Sequence, residues 1–234
     1  MPRVKFDIIT IFPKIFDSYF LESIIKRAIE KKKAEIKIHN LRDFSKLRHK
    51  QVDDKPYGGG AGMVLMAEPI LRAVKALGGS ISKLTKVVIF SAKGKQFNQK
   101  MAYDWSKRYN NFIFVTGRYE GIDERVTKIL KAEEISIGPY ITTDGDVAAM
   151  VVISSLIRLI PNVINFSSLE DESFMRGRIK NEAGTKNNEL EYPHYTRPEA
   201  LIWKKKKYKV PRILLTGDHK KIAEWRDVKR KARG

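Results

Sequence analysis

Between Asn111 and Asp146 the chain reads NNFIFVTGRYEGIDERVTKILKAEEISIGPYITTDGD, and this stretch constrains the fold more than any other. Phe112 to Val115 is an apolar, β-branched run that stops at Thr116-Gly117. It then passes through Gly121 into a charged, helix-compatible segment, Ile122 to Ala132. Glu134 to Ile137 repeats the device, a short strand pattern broken at Gly138-Pro139 and followed by Tyr140 to Thr142 and Gly145. Two buried strands that each end in a glycine turn put two loops at the carboxyl edge of one sheet, where open α/β sheets bind ligands. A third unit of the same kind, Lys86 to Phe90 turning at Ser91 to Gly94, sends its loop to the same edge.

Upstream, Val4 to Ile11 and Glu35 to His39 read as strands, and Lys14 to Lys32 carries Ile15, Phe16, Tyr19, Phe20, Ile24, Ile25 and Ala28 at near-helical spacing. Strand, helix, strand within about forty residues predicts a βαβ unit and therefore a parallel sheet. Leu41 to Met66 is polar, then basic, then glycine-rich at Gly58, Gly59, Gly60 and Gly62. Without Cβ atoms that backbone can lie close against something flat or bulky, although a flexible linker has similar composition. It matches neither phosphate-loop pattern. Helices are expected over Glu68 to Ala76 and Gln96 to Arg108. Val147 to Ile160 is apolar with a single charge, Arg158, which either pairs with a ligand or reaches solvent at the helix end.

Beyond Pro161 the periodicity fades. Residues 166–191 read as a flexible linker containing the acidic cluster Glu170, Asp171 and Glu172, and residues 192–234 as a small, mainly helical second domain after a first domain of 1–165. The second domain carries a lysine block, Lys204 to Lys207, between Trp203 and Tyr208.

Composition narrows the function. There is no cysteine, which excludes thiolate nucleophiles, disulfides and cysteine-ligated zinc, and the four histidines are too scattered for a structural metal site. No apolar run approaches the ~20 residues of a bilayer span, and the first residues lack a signal-peptide pattern, so no membrane association is expected and a cytoplasmic location is. The formal charge is +19, from 46 Lys plus Arg against 27 Asp plus Glu. Such an excess favours a polyanionic partner, while exposed lysines in a lysine-rich proteome are the plainer explanation.

The motifs GRYEGIDERV, SIGPY, VDDKPYGGGAGM and YPHYTRPE, in this order and spacing, resemble the bacterial tRNA (guanine-N1)-methyltransferases of the TrmD type, in the SPOUT superfamily. The resemblance runs from the first strand to the terminal helix. It implies a deep trefoil knot, an exception to the rule that chains do not thread their own loops. It also implies a homodimer with active sites at the subunit interface, S-adenosylmethionine as methyl donor, and the guanosine just 3′ of the anticodon of tRNA as the target. A magnesium requirement is suggested too, although no motif here is a recognisable magnesium site.

Carried over by position, the donor pocket comprises Ser91, Ala92, Gly117, Tyr119, Glu120, Ile137, Gly138, Pro139, Tyr140, Ile141, Thr142 and Gly145. The guanine faces Arg158, with Asp53 and Gly62 arriving from the partner subunit, and Glu191, His194 and Arg197 engage the anticodon stem-loop. Guanine N1 is a poor nucleophile while protonated, so the reaction needs a base at N1 and positive charge near O6. The family's base, a carboxylate before Ser-Phe, falls on Glu172 with Asp171 one residue earlier, and either can serve. It is usually aspartate, and this chain departs from the pattern again where Thr142 to Asp146 replaces Leu-Ser-Gly-Gly-Glu. These departures motivate a competing reading, a nucleic-acid-binding protein that kept the fold and lost the chemistry, and donor binding separates the two.

Overall fold

The computed structural model describes residues 3–78, 83–165 and 191–231. The chain divides into two compact units, residues 1–164 and 165–234.

The first unit is built on a five-stranded sheet: β1 (Val4–Thr10), β2 (Ala34–Asn40), β5 (Thr85–Gln96), β6 (Asn111–Val115) and β7 (Glu133–Ser136). Their order is β2-β1-β6-β5-β7, and every pairing is parallel. A short antiparallel pair, β3 (Asp53–Asp54) with β4 (Val64–Leu65), lies outside it. Parallel sheets are stable only when both faces are covered, and strand alternation supplies two apolar sets here. Phe6, Ile8, Val88, Phe90, Phe112 and Phe114 point to one face, against α2 (Ser23–Glu30), α4 (Gln99–Arg108) and α6 (Asp146–Ile157). Ile9, Ile89, Ile113 and Val115 point to the other, against α3 (Ala67–Ala76) and α5 (Arg125–Leu130). The first face is tied by aromatic contacts, Phe6 stacking on Phe112 at 5.2 Å and Phe90 meeting Phe114 edge-on at 5.3 Å. Each such ring contributes roughly 1.5–3 kcal/mol through burial.

Two sequence expectations need correction. The helix anticipated over Lys14 to Lys32 is broken: Pro13–Phe16 is a 3₁₀ turn, α1 spans Asp17–Phe20, and α2 begins at Ser23, whose φ is +53°. The break moves the buried stripe by one residue, from Phe16 and Phe20 to Ile25 and Ala28, which an unbroken 3.6-residue period cannot do. The strand expected to end at Phe90 continues to Gln96. Phe90 and Lys95 both pair with Ile135, so Ser91 to Gly94 leave the sheet and return to it. The return needs glycine at position 94, because a Cβ there would stand 2.5 Å from the Glu134 carbonyl carbon and the Ile135 nitrogen.

In the second unit the described residues form an antiparallel hairpin, β8 (Ala200–Trp203) with β9 (Lys206–Lys209), and a helix α7 (His219–Lys231). Tyr192 is buried, with the Arg226 guanidinium 4.6 Å from its ring centre, and Tyr195 meets Trp225 at 6.4 Å, so the segment after residue 191 packs on α7.

Candidate active site

The excursion within β5 and the loops that follow β6 and β7 converge in one cleft of about 550 Å³. Ten of the twelve residues expected to hold a donor line it, and Gly138 and Pro139 are not among its lining residues. The loop after β7 is shaped locally. Ser136 Oγ donates to the Gly138 carbonyl at 2.9 Å and accepts the Gly138 amide at 3.2 Å, and Tyr140 Oη donates to the Ile137 carbonyl at 3.1 Å. It then crosses to the neighbouring loop, where the Gly145 amide donates to the Gly117 carbonyl at 2.9 Å. A Cβ on Gly145 would lie 2.8 Å from the Gly117 nitrogen and 3.2 Å from Phe90 Cβ, so only glycine passes between Phe90 of β5 and the turn after β6.

The loop after β6 is fixed from below and from the side. Thr116, buried, donates through Oγ1 to the Ile9 carbonyl at 3.1 Å, and Tyr119 takes a left-handed φ of +57°. Beside it runs the end of the glycine-rich loop: the Glu120 amide donates to the Met63 carbonyl, and the Leu65 amide to the Gly121 carbonyl, both at 3.0 Å. Gly62 is packed so tightly on Glu120 that a Cβ would come within 2.5 Å of its Oε1. Gly62 therefore packs on Glu120, which lines the cleft, and Asp53 sits in β3, paired with Leu65.

Three groups that the sequence did not single out organise this edge. Asp144, buried, accepts Arg118 Nη2 at 3.1 Å and Thr143 Oγ1 at 3.0 Å on one oxygen, and the amides of Asp146 and Val147 at 2.9 and 3.3 Å on the other. The Arg118 guanidinium also lies 4.3 Å from the Phe12 ring centre. Asp146 is 2% exposed, and its Oδ1 has no hydrogen-bond partner among the described residues. Burial pushes its carboxyl above the ordinary range, and the hydroxyls of Thr116 and Thr10 pull the other way. At the mouth, Lys93 bridges Glu124 at 2.6 Å and Glu134 at 3.5 Å.

Arg158 is elsewhere. It follows α6, whose first residue is at the cleft, and a helix of that length spans about 18 Å. It lines a second cavity, of about 250 Å³, with Tyr19, Glu22, Ser23 and Ser154. Glu191 and His194 stand 3.7 Å apart in the second unit, where Arg197 is exposed. Asp171 and Glu172 lie outside the described residues.

The family model described as tRNA (Guanine-1)-methyltransferase TrmD matches residues 4–234. The chain belongs to this family. It is 47% identical to the tRNA (guanine-N(1)-)-methyltransferase of Clostridioides difficile over 225 residues, covering 95% of this chain and 90% of that protein. The enzyme of the same name from Mycoplasma capricolum is 46% identical, with 96% and 85% covered, and that from Dictyoglomus turgidum 45%, with 95% and 83% covered. The mixed architecture with a central parallel sheet fits this membership. No helix among the described residues is long and apolar enough to cross a membrane.

Proposed function

We propose that this chain transfers the methyl group of S-adenosylmethionine to N1 of the guanine immediately 3′ of the anticodon, tRNA position 37, giving 1-methylguanosine. The observation that carries the reading is the meeting of three glycine-turned loops in one cleft, in a chain that belongs to the tRNA (guanine-1)-methyltransferase family along nearly its whole length.

The residues fit the donor. The cleft lies within the usual range of small-ligand sites, its walls mix apolar side chains such as Ile137 and Ile141 with exposed backbone, and its glycines leave room where a Cβ would intrude. S-adenosylmethionine supplies an electrophilic methyl group. Backbone amides and carbonyls of the three loops would hold its adenine and ribose, and Tyr119 and Tyr140 line the same cleft. Glu172, with Asp171 as the alternative, would take the N1 proton as the N1–methyl bond forms and the methyl–sulfur bond breaks, leaving S-adenosylhomocysteine. Arg158 offsets the negative charge that develops at O6. Among the described residues no group of three or more His, Asp or Glu could hold a metal ion, and no step is routed through magnesium.

The position of Arg158 supports a homodimer. Arg158 follows a helix about 18 Å long that starts beside the cleft, and a second copy would bring such a side chain to the guanine there. α6 is apolar over most of its circumference, yet Val147 and Val151 are each 42% exposed, and such a helix exposes these residues to a partner. The close passage of Gly145 between Gly117 and Phe90 supports a trefoil knot in residues 1–165. Residues 166–191 act as the linker and 192–234 as the tRNA-binding domain, with Glu191, His194 and Arg197 on the anticodon stem-loop and Asp53 and Gly62 near the guanine. The protein works in the cytoplasm, where its substrate is made.

The test is methyl transfer from labelled donor to unmodified tRNA transcripts that differ only in the base 3′ of the anticodon. 1-Methylguanosine is expected only with G at that position, and donor and tRNA binding without product would refute the reaction. Comparing Glu172→Gln with Asp171→Asn identifies the base, since equal and mild losses exclude both.

A further inference from the structure

The mouth of the cleft carries a charge that the proposed reaction leaves unused. Ser91 to Gly94 leave the sheet between Phe90 and Lys95, and among the described residues no strand pairs with them. Gly94 is pressed on the backbone of β7, which anchors one end of this excursion. Ser91, Ala92 and Lys93 line the cleft, and Ala92 and Lys93 are exposed. Exposed backbone without ladder partners opens at low cost unless side chains hold it.

Lys93 supplies the hold. Its ammonium stands 2.6 Å from a carboxylate oxygen of Glu124 and 3.5 Å from one of Glu134. Glu124 lies where the loop after β6 enters α5, and Glu134 is in β7. One cation on the excursion within β5 thus reaches an acid beside each of the other two loops. The Glu124 carboxylate raises the Lys93 ammonium above its ordinary value, with Glu134 adding to the effect, and Lys93 holds Glu124 below its own, so both stay charged at neutral pH. The side chains of Lys93 and Glu124 are 61% and 53% exposed, which keeps the link weak enough to open as a ligand enters.

We propose that Lys93 is a positioning residue that clasps the three walls of the cleft across its mouth and slows the escape of a bound donor. This rests on the reading of the cleft as the donor site. Lys93 acts through Glu124 and Glu134, by holding Ser91 and Ala92 against the other two loops. A loop already fixed in its bound position spares part of the ordering cost of binding, and such gains appear mainly in koff. A plain field effect has the opposite signature, because a lysine at the mouth repels the sulfonium of the donor and a glutamate attracts it.

The test compares wild type with Lys93→Gln, Glu124→Gln and the double variant, measuring koff and Kd for S-adenosylmethionine and S-adenosylhomocysteine at about 50 and about 300 mM salt, together with turnover. Each single variant is expected to raise koff for both ligands about three- to fivefold at the lower salt, and the double variant no further. KM for the donor rises with it, while kcat at saturating donor does not fall. Higher salt should bring wild type towards the variants, since an exposed pair is screened. Opposite shifts, with the donor bound more tightly by Lys93→Gln and more weakly by Glu124→Gln, would reduce both residues to their field and overturn the clasp. Additive losses in the double variant would also overturn it. Values unchanged in all three variants would overturn the clasp and leave the donor site intact, whereas a wild-type protein that binds no S-adenosylmethionine overturns both.

Discussion

Arg118 and Asp144, separated by 26 residues, meet at 3.1 Å where the loop after β6 crosses the start of α6. The carboxylate thereby does two jobs, pairing with a guanidinium that also rests on Phe12 and capping the first amides of the helix.

The two jobs separate by substitution. Asp144→Asn keeps an oxygen for the Asp146 and Val147 amides and loses the charge opposite Arg118, whereas Asp144→Ala loses both. The expected cost in denaturant unfolding is about 1 kcal/mol for the first and roughly 2–3 kcal/mol for the second. Both variants free the loop bearing Tyr119 and Glu120, so donor Kd rises several-fold in each. Equal unfolding costs would mean that the cap contributes nothing.

Asp146 predicts a pH dependence. Burial raises its carboxyl above the unfolded value near 3.8, so the folded chain holds the proton more tightly than the unfolded chain. The stability it contributes is present in acid and lost as pH rises from that value through the folded pKa. Asp146→Asn should gain on wild type in unfolding free energy as pH rises above about 4. A constant difference over that range would remove Asp146 as the titrating group.

Glycines with different surroundings should respond differently. Gly94→Ala drives a Cβ into the backbone of β7, so it should cost about 1–3 kcal/mol or more and detach the loop bearing Ser91 and Ala92. Gly58→Ala faces open space and pays only for its φ of +86°, about 1 kcal/mol. Gly62→Ala pays for its φ of +79° as Gly58 does and also displaces Glu120, so it should cost at least as much as the Gly58 variant and weaken methyl transfer besides. Indistinguishable melting temperatures for the Gly94 and Gly58 variants would contradict the close packing of β5 on β7.

A shared site at a dimer interface predicts complementation. Arg158→Ala mixed with a cleft variant such as Gly145→Val should recover activity, because one of the two sites in a mixed dimer has an intact cleft and an intact arginine. Random mixing sets the recovery at about a quarter of the wild-type rate. No recovery from stable mixed dimers would place both groups in one protomer's site.

The parts of this architecture that local chemistry controls could be read before any coordinates. Phe112 to Val115 is apolar and β-branched whatever surrounds it, and the glycine turns after the strands announced loops at one sheet edge, where ten of the named residues line one cleft. What could not be read depends on partners distant in sequence. Arg118 and Asp144 look like two more surface charges until the fold brings them together. The extension of β5 past Phe90 exists because β7 offers a second place to pair, and the hairpin tip uses lysines where turn chemistry predicts Asn-Gly.

Gly145 passes between Phe90 of β5 and the turn after β6, and with Ala148 it is among the last pieces of the cleft to arrive in chain order. Until that segment has been synthesised and seated, the cavity has no closing wall. A nascent chain halted anywhere before residue 145 should be blind to any ligand of the cleft, so ligand capture during translation reports the completion of folding.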